Sequence, residues 1–182
     1  MDKQTPFMSV ADTKILAEAI VFIALANALY IISKLYLPFL KLPQGGSITL
    51  ASMVPLLWFA LRRGPRWGIE AGLVYGLVHM AISGEIYYPT QVLLDYPLAF
   101  GALGLAGAFK KHPIVGVGVG IAGRFICHFT SGVIFFGQYA WAGWNVIAYS
   151  AAYNATYLVP EFIVSAIVMY ILLKRDLLEV YM

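Results

Sequence analysis

An apolar helical stretch that carries an arginine, a histidine and a serine constrains this chain most. It runs GRFICHFTSGVIFFGQYAWAGWNVIAYSAAYN, from Gly123 to Asn154. His128, Gly132 and Phe136 recur at a spacing of four and so climb one side of a helix. Phe135 shares that face. A polar head, a gap without a side chain and an aromatic plate thus stand in a row. Exposing Arg124, His128 and Ser131 to hydrocarbon costs several kcal/mol, so such groups face protein or a water-filled cavity. The stretch reads as one wall of a small-molecule pocket near a membrane surface.

Composition agrees. The chain is 61% hydrophobic and only 12% charged, against about 25% charged residues in a soluble domain. An integral membrane protein is expected, with one domain over residues 1–182 and a short polar segment at 1–13. That polar start shows no cleavable signal peptide. Cys127 is the single cysteine and cannot form an intramolecular disulfide. The net charge of +3 points to no nucleic acid, because the basic residues are scattered in pairs at helix ends.

The hydropathy pattern predicts an all-α bundle of six transmembrane helices. The first spans about Thr13–Ser33 and is rich in alanine. Glu18 is read there as a bundle-facing cap and Asn27 as an interhelical hydrogen bond. Lys34 to Ile48 follows as a long loop, read either as a lid or as a plain connector. The second helix, about Thr49–Leu61, is short and contains Pro55. The third, about Trp67–Ser83, carries Gly68, Gly72 and Gly76 as a ridge for close packing. The fourth begins near Asp95-Tyr96-Pro97 and reaches Phe109. The fifth covers about Ile114–Phe136, and the sixth about Asn145–Leu173 with Pro160 inside it.

Basic residues set the orientation. With both termini cytoplasmic, nine of the 12 basic residues fall inside, from Lys3 to Arg175, and only Lys34 and Lys41 fall outside. The candidate pocket then opens outward, at the cell membrane's external face.

Several motifs are absent. No Gly-x-x-x-x-Gly-Lys-Ser/Thr sequence offers a P-loop. Neither His-Glu-x-x-His nor a cysteine pair offers a metal site, and no cofactor is expected. His112 is read as a solvated helix end and His79 as a packing histidine. Asp95 has two readings. It could cap the fourth helix, with Pro97 in the first turn. It could also be a carboxylate set among aromatic rings, which is how proteins hold organic cations. Trp141 and Trp144 fit the role of interface anchors.

The segments LPQGGSITLASMVPL at 42–56, QVLLDYPLAFGALGLAG at 91–107, GRFICHFTSGVIFFGQYA at 123–140 and YSAAYNATYLVPE at 149–161 carry a resemblance. They resemble the thiamine-specific substrate-binding component, or S-component, of energy-coupling factor (ECF) transporters. The resemblance implies a six-helix membrane fold without ATPase activity. It implies thiamine held near the outer face, beneath the loop joining the first two helices. It implies docking onto a coupling transmembrane protein and two ATPase subunits. Its binding residues fall on Asp95, Tyr96, Tyr87, His128, Gly132, Phe136, Tyr149 and Asn154. Tyr88 is the alternative to Tyr87, and Tyr36 is the candidate for an aromatic contact from the first loop. Its docking alanines fall on Ala24 and Ala28.

The leading expectation is therefore a thiamine-binding S-component in the lipid bilayer. One alternative is the same fold serving another vitamin or a thiamine precursor. Another class of reading is an intramembrane enzyme using His128 with Asp95 or Glu161; a further one is a purely structural subunit.

Overall fold

The computed structural model describes residues 9–175. Six helices follow one another: α1 (Val10–Tyr36), α2 (Val54–Arg63), α3 (Pro65–Ser83), α4 (Gln91–Phe109), α5 (Pro113–Phe135) and α6 (Val146–Lys174). Four of them, α1, α4, α5 and α6, are long and apolar enough to cross a membrane.

Each start has a local cause. Ser9 and Asp12 form a capping box on α1, so the helix begins three residues before the expected Thr13. Pro65 and Pro113 open α3 and α5, where the missing N–H is not needed. Asn145 caps α6, accepting from the Ala148 amide at 2.7 Å.

The second helix differs from a span. It has 10 residues, about 15 Å at the helical rise, half the hydrocarbon thickness. Every residue from Val54 to Leu61 is buried. It forms the centre of the bundle, ringed by α1, α3 and α4. At its end Arg62 and Arg63 both pair with Glu18 of α1. Glu18 therefore faces the bundle as expected. Asn27 does not bridge helices: its amide donates to its own helix, at the Ile23 carbonyl, at 2.9 Å.

α3 and α4 approach backbone to backbone. A Cβ on Gly76 would stand 2.6 Å from the Tyr96 carbonyl oxygen, and one on Gly72 would overlap that of Phe100. The last seven residues of α4, Leu103–Phe109, wind as a 3₁₀ helix. In that geometry residues three apart eclipse, which brings Gly104 and Gly107 onto one side against Ile69 and Ala60.

The start of α4 corrects the expected boundary. The helix begins at Gln91, so Asp95 lies inside it and caps nothing. Pro97 also lies inside, where it cannot donate to the preceding turn. The helix answers by widening over Leu94–Leu98, and the Ala99 amide reaches back five residues to Leu94. This wide turn sets Asp95 and Tyr96 on the wall of the bundle's cavity.

Candidate functional site

A cavity of about 300 Å³ opens at the end of the bundle where residues 37–53 cross. Asp95 stands on its wall. Its Oδ2 accepts from the Gln91 side-chain amide at 2.6 Å and from the Ser131 hydroxyl at 2.9 Å. Its Oδ1 lies 3.0 Å from Nδ1 of His128. The other ring nitrogen, Nε2, accepts from Nε of Arg124 at 3.1 Å. Arginine carries only donors, so Nε2 presents a lone pair and the ring proton sits on Nδ1, donated to Asp95. Three uncharged donors thus surround the carboxylate, and no lysine or arginine lies within ion-pair distance of it among the described residues.

Helical spacing builds this cluster. Gln91 precedes Asp95 by four residues and Arg124 precedes His128 by four, so each partner lies one turn away on the same face. Gln91 also closes the helix start: its Oε1 accepts from the amides of Tyr87 at 3.1 Å and Tyr88 at 3.4 Å.

Of the residues expected at the site, Asp95, Tyr96, His128, Gly132, Phe136, Tyr149 and Asn154 all line the cavity. Tyr96 is buried, donates to the Glu85 carbonyl at 2.8 Å and meets Ser83 at 2.8 Å. Asn154 is clamped: its amide donates to Ser150 at 2.8 Å and its oxygen accepts from Tyr157 at 2.6 Å. Gly132 is less a gap than a contact, because the Ser150 hydroxyl occupies the place its Cβ would take. Phe136 caps α5 and is buried against Tyr87 and Tyr139, with ring centroids 5.5 and 6.2 Å away.

Two placements differ from expectation. Tyr87 stands at the rim, half exposed, and does not line the cavity; its hydroxyl donates to Glu85 at 3.0 Å. Tyr36 is exposed at the end of α1, and Tyr30, two turns earlier, lines the cavity instead. His79 lines it too, with its ring 4.2 Å from that of Tyr30 and Nδ1 3.2 Å from the Tyr75 hydroxyl. Arg124 lines the cavity, as expected of a polar group in that helix. Sequence reasoning gave no role to Gln91 or Tyr153; the spacing of four before Asp95 marks the first.

The loop over residues 37–53 is tied to the bundle on several sides. Leu42 and Gly46 close a tight turn by a 2.6 Å backbone bond, with Gln44 at φ 61° and Gly45 at φ 93°. The Tyr153 hydroxyl of α6 donates to the Pro43 carbonyl and accepts from the Gly46 amide at 3.0 Å. Lys41 pairs with Glu85 in the turn between α3 and α4. Burial acts to raise the Glu85 carboxyl, but the Lys41 and Tyr87 hydrogen bonds outweigh it and hold it below its ordinary value of 4.5. The hydrogen bond to Glu85 holds Lys41 above 10.5. At the far end of the loop, Leu50 donates to the Ser33 hydroxyl at 2.8 Å, and Thr49 donates through both its amide and its hydroxyl to Glu161.

A helical membrane bundle closed around one polar-and-aromatic cavity, with a loop tied across its mouth, is a solute-binding membrane protein. The sequence pattern of the thiamine transporter protein family (Thia_YuaJ) matches residues 16–179, and the chain belongs to that family. It is 38% identical over 175 residues to the thiamine transporter ThiT of Bacillus subtilis, covering 86% of this chain and 88% of that protein. It is 31% identical over 122 residues to ThiT of Lacticaseibacillus paracasei, covering 56% of this chain and 61% of that one. A solved structure of ThiT from Listeria monocytogenes is 30% identical, with a TM-score of 0.77 over 91% of this chain and 96% of that one.

Proposed function

We infer that this chain is the thiamine-binding S-component of an ECF-type vitamin transporter, and that thiamine binds in the cavity around Asp95. Family membership supports the ligand. The observation that carries the site is the carboxylate of Asp95, held by three uncharged donors and without a lysine or arginine partner among the described residues. Thiamine brings a fixed positive charge on its thiazolium ring and an amino group on its pyrimidine. One carboxylate serves the first as counter-charge and the second as acceptor. Phe136, Tyr149 and Tyr96 supply flat apolar faces for the rings and cation–π contact for the charge.

The protein is a transporter component and not an enzyme. That follows from the family; the Ser131 hydroxyl donates to Asp95 and not to the imidazole. Glu161 does not join the pair either; it holds Thr49.

In the transport reading, both termini lie in the cytoplasm and the tied loop faces outward, which places Lys110, Arg62 and Lys174 on the basic inner side. Ala24 and Ala28 are exposed on α1, four residues apart. They offer a smooth strip on which the coupling transmembrane protein, with its two ATPase subunits, docks. Titration of the purified chain with thiamine, riboflavin and biotin, without ATP, tests the reading. Thiamine is expected to bind far more tightly than the other two, and equal affinity for the three overturns it.

A further inference from the structure

Arg124 has no part in that reading, yet it lines the cavity. A permanent cation is an odd neighbour for a site that receives a cation. Its contacts explain its presence. Nε donates to His128 at 3.1 Å, Nη1 points at the Met53 sulfur at 2.8 Å, and the guanidinium lies 4.1 Å over the Phe100 ring. No carboxylate lies within ion-pair distance of it among the described residues. The guanidinium is stacked on a ring and aimed, edge-on, at one imidazole nitrogen.

An imidazole beside a carboxylate tends to take a second proton, because the pair is then oppositely charged. Here that proton would have to enter at Nε2. The Arg124 N–H already occupies that lone pair, and arginine does not give up its proton. We propose that Arg124 is a positioning residue for ligand capture: it holds His128 as the neutral Nδ1–H tautomer, so that Asp95 keeps its charge for a cationic ligand. This rests on the reading of Asp95 as the ligand's counter-charge.

The groups facing His128 leave that assignment unopposed. From α4 comes Asp95, which takes the Nδ1 proton. From α3 comes His79, which lines the same cavity. From α6 come Tyr157, edge-on with ring centroids 6.0 Å apart, and Asn154, whose amide donates to the His128 carbonyl at 3.3 Å. Glu161, further along α6, is engaged by Thr49. Among the described residues, Arg124 is the hydrogen-bond partner of Nε2. A fixed cation beyond the imidazole thus replaces a titrating one in direct contact with the carboxylate.

The test uses the full chain in lipid nanodiscs and has two arms. In the first, thiamine affinity is measured by calorimetry across the range from about pH 8 to about pH 5, which brackets the ordinary imidazole value of ~6.5. Wild type is expected to hold its affinity throughout. Arg124→Met is expected to bind at the upper end and to lose about tenfold per pH unit below the imidazole value, as the pair neutralises itself. Arg124→Lys, which restores a donor, is expected to recover part of the flat profile. In the second arm, nitrogen-15 NMR of the imidazoles, assigned with His128→Gln, reads the protonation state without ligand. Wild type is expected to show a neutral Nδ1–H ring at about pH 5.5, about one unit below that ordinary value, and Arg124→Met an imidazolium. A wild-type imidazolium or Nε2–H ring overturns the proposal, as does a variant whose pH profile matches wild type. If Arg124→Met does not fold, the wild-type spectrum decides. Failure of wild type to bind thiamine at any pH sinks the function and leaves the tautomer assignment to the spectra.

Discussion

Asp95 and His128 lie 33 positions apart in the chain and meet side chain to side chain at 3.0 Å, across the contact of α4 with α5. That pairing changes what removing the charge of Asp95 does. Asp95→Asn turns one acceptor oxygen into a donor facing Ser131, Gln91 or His128, each of which already donates. Thiamine affinity is expected to fall by about 1.5–3 kcal/mol, the scale of a charge-assisted hydrogen bond, or tenfold and more in dissociation constant. Melting temperature should also drop, whereas a capping Asp95 would be replaced by Asn almost without loss. Calorimetric titration with parallel thermal unfolding checks both. Unchanged affinity in a folded variant excludes Asp95 as the counter-charge.

Phe136 and Phe135 are neighbours with different surroundings. Phe136 lines the cavity, whereas Phe135 stacks on Tyr88 at 5.5 Å and does not line it. Phe136→Ala is expected to weaken thiamine binding by roughly 1–3 kcal/mol, the range for stacking of a flat heterocycle. Phe136→Trp should be tolerated. Phe135→Ala should leave affinity near wild type. The three affinities, measured side by side, decide the register.

Lys41 and Glu85 tie the loop to the α3–α4 turn, and their titration sets a pH window. The Glu85 carboxyl is held below 4.5, so its contribution to closure is complete above that value and is lost as pH falls through the lowered one. Lys41 is held above 10.5, so its contribution is complete below that value and is lost as pH rises through the raised one. Between the two the tie is intact. Glu85→Gln should release thiamine faster at neutral pH, with a smaller difference from wild type once Glu85 is protonated. Stopped-flow chase experiments read the release rate; identical rates at neutral pH would show that the tie does not hold the loop.

Ala24→Trp or Ala28→Trp places a large ring on an exposed strip of α1. Thiamine binding by the isolated protein is expected to be unchanged. Uptake by cells supplying the coupling module should fall, because close helix contact there is blocked. Loss of binding together with uptake would place these alanines in internal packing.

Much of this is legible in the sequence. Apolar runs ending at Arg62-Arg63, Lys110-Lys111 and Lys174-Arg175 locate helix ends, because charge cannot enter hydrocarbon unpaired. Pro97 misled for a local reason. A proline near a helix start usually sits in the first turn, and nothing in the sequence shows that a widened turn will absorb it further in. The polar residues of α5 announced a site, and their partners one turn away were equally readable from spacing. The ties of the loop were not. Lys41 finds Glu85 and Tyr153 finds Pro43 across 44 and 110 positions, and no periodicity connects residues so far apart.

The shortness of α2 reaches into the bilayer itself. With about 15 Å of helix where a span needs ~30 Å, α2 cannot cross alone, and the non-helical loop before it must make up the rest of the path. It is tolerated there because Ser33, Tyr153 and Glu161 satisfy its backbone groups. Lipid length thereby becomes a variable of vitamin capture. A thicker membrane would cover more of the loop and a thinner one less, and thiamine affinity compared in nanodiscs of short- and long-chain lipids reads the difference.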